Sequence, residues 1–154
     1  MTWEELGSIG EIVSAIAVLI TLVYLSYQIR TSNRLESAKH LDVHMDRIRD
    51  FRMRLGENAE ASAIWHKGNS GQDLTSEESE RFSHLAYTYI FIWRDAFERT
   101  RILKGIADPE RYVDGLLFWL DKWPGLRSYW DETMGKASGP YPDAVNARLG
   151  SRGT

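Results

Sequence analysis

The chain has no cysteine. That absence excludes a disulfide scaffold, thiol catalysis, and zinc or iron–sulfur centres held by thiolates. It agrees with a reducing compartment. Excess positive charge is missing too: 19 basic against 22 acidic residues leave a net charge of −3. No overall basic field recruits nucleic acid, and no nucleic-acid partner is expected. Neither GxxxxGK[ST] nor GxGxxG occurs, so nucleotide chemistry has no phosphate-cradling loop. The GxSxG elbow of serine hydrolases is absent as well. No cofactor is expected. Strand periodicity and internal repeats are also lacking, which points to an all-α chain.

What is present is apolar and aromatic. The 154 residues are 43% hydrophobic and 27% charged, which suits one compact domain plus an attachment. Six Trp, seven Tyr and five Phe fall mostly in the C-terminal half. They imply a core built around aromatics, or surfaces that meet a membrane or a partner.

The attachment is the run GSIGEIVSAIAVLITLVYLSYQIR, residues 7 to 30. From Gly7 to Ile29 the only formally charged residue is Glu11, and roughly 23 residues exceed the ~20 needed to cross a bilayer as a helix. A cleaved signal peptide would want a basic start and a small-residue cleavage site. MTWEEL is acidic, and YLSYQIR is bulky. Residues 7–29 are therefore expected to form one N-terminal transmembrane helix. Glu4 and Glu5 precede it, and Arg30, Arg34 and Lys39 follow. The positive-inside rule then leaves residues 1–6 as an extracytoplasmic tail and sends the rest of the chain into the cytoplasm. Trp3, Tyr24 and Tyr27 fit interfacial anchors.

Gly7, Gly10, Ser14, Ala17 and Thr21 recur at steps of three and four. They share one helix face, where small side chains let helix backbones approach closely in lipid, and so form a candidate oligomer interface. Small residues are also common in any membrane helix. Glu11 lies about a quarter-turn from that stripe. It has two readings: a carboxylate reaching the outer interface, or one of a ring of carboxylates facing the interior of an assembly, where they would attract cations.

No Pro or Gly separates the span from Leu55, and Leu41, Met45, Ile48, Phe51 or Arg52, and Leu55 mark an apolar stripe. The spacing predicts a continuous helix ending near Gly56, then a shorter piece around Ala61, Ile64 and Trp65. Thr75 and Glu78 form a capping box opening a helix whose centre, LAYTYIFIW, is apolar nearly all round. Gly105 is expected to end it. Asp108 and Pro109 open the next helix, YVDGLLFWLDKW, which stops before Pro124. GLRSYWDETM reads as a short helix. Residues 30–135 thus form the helical domain, and residues 136–154 read as a largely loop-like C-terminal tail.

GEIVSAIAVLITLVYLSYQIR, the helix start LTSEESERF and the later WPGLRSYW together resemble an uncharacterised bacterial family. Its members are small proteins with one N-terminal span and a cytoplasmic all-helical domain. The resemblance covers most of the chain and implies residence in the bacterial inner membrane. It supplies no catalytic residues.

Two constellations carry a chemical reading beside a bland one. His40 and His44 stand four apart on one helix face, with Glu36 a turn earlier. They are metal candidates by type, or members of a solvated face. Arg34 and His40 fit the loose Arg-x(4–6)-His pattern of HEPN-type ribonucleases. Three function classes follow. One is a membrane protein whose span self-assembles into a homo-oligomer, with a cation-permeable pore as its sharpest form. The second is a membrane-tethered helical scaffold for a cytoplasmic protein partner. The third is a metal-dependent or HEPN-like enzyme.

Overall fold

The computed structural model describes the backbone of residues 3–102 and 108–152, and the side chains of 11–35, 39, 42–102 and 108–151. The protein is all-α, with no strand among the described residues. The chain divides into two units, Met1–Lys39 and His40–Thr154.

Helix α1 runs from Trp3 to Glu57 without a break, as the lack of interior Pro and Gly past Gly10 predicts. Within the first unit the described side chains from Glu11 onward are exposed, apart from the half-buried Asn33; Ile12, Leu19 and Val23 are among the exposed ones. Thr21 Oγ1 donates to the Ala17 carbonyl at 2.8 Å, and Thr31 Oγ1 to the Tyr27 carbonyl at 3.1 Å. These hydroxyls are satisfied inside the helix.

The second unit begins with the C-terminal part of α1. Asn58, in an extended conformation, separates it from α2 (Ala59–Asn69), and its Oδ1 accepts from the Ala61 N–H at 3.0 Å. This satisfies one of the donors that a helix start leaves free. Gly71, at φ +69°, turns the chain toward α3 (Ser76–Ile102) in a conformation that costs a glycine little. The capping box at the start of α3 is formed. The Thr75 N–H donates to Glu78 Oε2 at 2.8 Å and the Glu78 N–H to Thr75 Oγ1 at 3.3 Å. Gly105 lies outside the described residues.

At the head of α4 (Glu110–Lys122), Asp108 Oδ1 accepts from the Glu110 N–H at 3.0 Å. Trp123 is extended, and Pro124 opens α5 (Pro124–Glu132) as its first residue, where a missing N–H costs nothing. Gly125 then approaches α2 so closely that a Cβ there would run into the Gly68 carbonyl.

The expectation of a loop-like end is corrected by α6 (Pro140–Arg152), which follows a short 3-10 turn at Met134–Lys136. Gly139, Pro140 and Pro142 look like loop punctuation. However, Pro140 and Pro142 both sit in the first turn, where backbone N–H groups have no intrahelical partner to lose. Tyr141 and Val145 are fully buried, and the Tyr141 hydroxyl donates to the Tyr112 carbonyl at 3.3 Å. Asn146 Oδ1 accepts from Trp130 Nε1 at 3.0 Å, while its Nδ2 donates to the Gly135 carbonyl at 2.7 Å. Arg148 pairs with Asp114 and with Glu110 on α4.

Helix α3 is the central element, buried through Phe82, Ala86, Tyr89, Ile90, Ala96 and Phe97. It is not covered all round: Tyr87 and Phe91 stack on each other on its exposed side. Helix α4 turns Val113, Leu116, Leu117 and Leu120 into the same core and leaves Phe118 exposed. Its aromatic run is therefore mainly core.

Candidate aromatic binding cavity

Four helices bring aromatic side chains together. In the second unit α1 presents His44, Ile48, Phe51 and Leu55 on one face, at steps of four, three and four. Helix α3 contributes Tyr89 and Trp93, and α4 contributes Trp119 with Trp123 just past its end. Trp65 comes from α2. Between them lies a cavity of about 410 Å³. That is within the usual size range of small-molecule pockets.

The rings hold one another mostly edge to face. Phe51 meets Trp65 at 5.3 Å and 71°, and Trp65 meets Trp123 at 5.4 Å and 84°. Trp119 and Trp123 lie 4.3 Å apart at 30°. Behind Trp93, Gly115 leaves the space its indole fills, since a Cβ at 115 would strike the ring. Such pairs add roughly 0.5–1.5 kcal/mol each beyond their buried area, so the wall is stiff.

His44 is the buried polar side chain of this wall. Only 4% of its surface is exposed, and it lies edge-on between Trp93 (4.6 Å) and Tyr112 (5.0 Å). Its Nδ1 has no hydrogen-bond partner. Burial lowers its pKa below the ordinary 6.5, the nearby Ile92 carbonyl opposes this, and the positive charges of Arg111 and Arg47 reinforce it. Arg47 itself pairs with Asp95, which also accepts from Arg99 Nε at 2.8 Å. The Trp93 indole N–H lies beside the Tyr89 hydroxyl without meeting hydrogen-bond geometry. Burial raises the Tyr89 pKa, so it stays a neutral phenol.

A pH dependence follows from His44. Unfolded, it takes up a proton near 6.5; folded, only at lower pH. Between those two values the unfolded chain binds more protons, so this contribution to stability is present above 6.5 and is lost as pH falls toward the folded pKa. Urea midpoints at pH 7.5 and 5.5 should therefore differ more for the native chain than for His44→Leu. Equal differences would show that His44 is not buried as a neutral group.

The chain matches no family model, no curated protein and no solved structure. The site must be read from its own chemistry.

The residues singled out from the sequence fall in several places. Ser14, Ala17, Thr21, Glu11 and Arg34 are exposed on α1 in the first unit. Gly7 and Gly10 have helical backbones but lie outside the described side chains, as do Glu36 and His40. His44 is not on a solvated face; it is buried under Trp93 and Tyr112. No group of His, Asp or Glu able to hold a metal occurs among the described residues. The α1 stripe is also shifted from its expected register. Met45 is exposed, and His44 takes the core position one turn before Ile48. The 44–48–51–55 spacing carried that signal, but a histidine at its head hid it.

The arrangement can bind and exclude water.

Proposed function

We propose that this protein is a single-pass membrane protein that self-assembles through its N-terminal helix and holds a helical domain at the cytoplasmic face. The observation that supports it is the contrast between the two units. Glu11–Leu35 is a helix long and apolar enough to cross a bilayer, and none of that stretch is buried within the chain. The second unit closes its own core with residues from Ile64 to Val145. The apolar side chains of the first unit therefore need a covering that the chain does not supply, and lipid is the natural one. The helix continues unbroken through the exposed Arg30 and Arg34, long cationic side chains of the kind that snorkel to a polar interface. Their position, with Lys39, against Glu4 and Glu5 supports a cytoplasmic C-terminal side.

Self-association rests on the small face. Ser14, Ala17 and Thr21 leave a shallow strip on α1, and the Thr21 hydroxyl is tucked against the Ala17 carbonyl. Two such faces pack closely. The test is the native mass of the full-length chain in a mild detergent, alongside Ala17→Ile. A discrete homo-oligomer that Ala17→Ile reduces to smaller species is expected. A monomeric native chain would contradict self-assembly and leave a simple tether. A dimer would exclude a pore; a larger closed ring would make Glu11→Gln the next variant, with altered ion selectivity as the result to seek.

A further inference from the structure

Within the second unit, α1 is the element the core needs least. The buried apolar cluster runs from Ile64 to Val145, all of it on α2 and later elements. Helix α1 adds only Ile48, Phe51 and Leu55, each half-buried against that cluster. The cavity of about 410 Å³ lies in this same joint, with α1 on one side and Trp93 and Trp119 on the other. Side chains that line a void lose the dispersion contacts a filled interface would give, so the joint is thinly packed. Two further contacts hold it. Arg47 pairs with Asp95 on α3, and the His44 ring lies between Trp93 of α3 and Tyr112 of α4.

We propose that the stretch of α1 from His44 to Leu55 is a detachable strap, which leaves the helical bundle when His44 takes up a proton. The surroundings suit only the neutral ring. The Ile92 carbonyl favours one ring N–H. A second proton would put donors on both nitrogens, and Nδ1 is buried without a partner. The groups around the ring are Arg47 on α1, Asp95 and Arg99 on α3, and Arg111 and the phenol of Tyr112 on α4. Asp95 is the one carboxylate among them, and it already receives Arg47 and Arg99. An imidazolium there is a buried charge beside three guanidinium groups with no counter-ion of its own, and detachment returns it to water. Released, His44 titrates near the ordinary 6.5; docked, it does so only at lower pH. Below 6.5 the released form therefore binds more protons, and docking weakens by up to about tenfold per pH unit until the docked ring itself titrates. The bundle behind the strap keeps its own core throughout, so acid opens the aromatic cavity without unfolding the domain.

The test is hydrogen exchange, read by mass spectrometry, on the full-length protein in lipid discs at pH 7.5, 6.5 and 5.5, with labelling times scaled to the intrinsic exchange rate. Peptides from residues 44–55 should lose protection several-fold, up to about tenfold, between pH 6.5 and 5.5, while peptides from α4 and α6 keep theirs. His44→Leu retains the other three of the four histidines and should hold the strap at every pH. Asp95→Asn should loosen the strap already at pH 7.5 and leave α6 unchanged. Unchanged protection of 44–55 at pH 5.5, or an equal loss in His44→Leu, would overturn the proposal. Loss from α4 and α6 together with the strap would also overturn it, because acid would then be unfolding the whole domain.

Discussion

Tyr141→Ala should destabilise the helical domain by about 3–5 kcal/mol, the usual cost of deleting a buried aromatic ring. The ring is fully buried, 5.0 Å from that of Phe97 and 6.2 Å from that of Trp130, the largest fully buried side chain among the described residues. Its hydroxyl donates to the Tyr112 carbonyl, and the substitution also removes that bond between α6 and α4. Burial raises the Tyr141 pKa well above its ordinary value, consistent with a phenol sealed from water. Tyr141→Phe keeps the ring and loses only that bond, and should cost about 1 kcal/mol. Urea unfolding followed by tryptophan fluorescence measures both. If Tyr141→Ala unfolds at the native midpoint, α6 is peripheral and the described core is wrong.

The second large effect concerns the span. Leu19→Arg combined with Leu22→Arg places two guanidinium groups near the middle of the apolar stretch, on residues fully available to lipid. Each arginine at a helix centre costs about 2.5–3.5 kcal/mol of insertion free energy, so the pair removes about 5–7 kcal/mol. The native chain should remain in the membrane pellet after alkaline extraction, and the double variant should leave it. Leu19→Phe with Leu22→Phe should behave as native. A double variant that stays in the pellet as fully as the native chain would show that Glu11–Leu35 is not what holds the protein there. Because these two positions lie off the small-residue stripe, the result does not depend on self-association.

Much of the fold is legible in the sequence because its signals are local. The unbroken α1, the Thr75–Glu78 box and the stop before Pro124 each follow from propensity or capping at a few neighbouring residues. The last helix was hidden because Pro140 and Pro142 carry opposite meanings at a helix interior and in a first turn. Only the burial of Tyr141 and Val145 decides between them, and that depends on distant residues such as Phe97 and Tyr112. The cavity was harder to foresee. Each of its helices presents aromatics at an ordinary core spacing, and nothing in a single stretch tells that Phe51, Trp65 and Trp119 leave a gap instead of closing it. His44 illustrates the limit: its side chain reads as polar, so a surface position is the natural assignment, yet the Ile48–Phe51–Leu55 face needs a residue at 44. The family resemblance of the span and of WPGLRSYW remains a reading of the sequence. What the structure adds there is a reason for Gly125, which lets α5 approach the Gly68 carbonyl.

The central claim is that the chain crosses the bilayer once, with its helical domain in the cytoplasm. The absence of native cysteine makes that directly measurable. Glu5→Cys and Ser128→Cys, each as the sole cysteine, are treated in intact spheroplasts with a membrane-impermeant maleimide. Ser128 lies exposed on α5, so its replacement is freely reactive wherever the domain faces the reagent. The expected result is labelling of Glu5→Cys in intact spheroplasts and of Ser128→Cys only after the membrane is permeabilised. Labelling of Ser128→Cys in intact spheroplasts, or protection of both sites until permeabilisation, would contradict it.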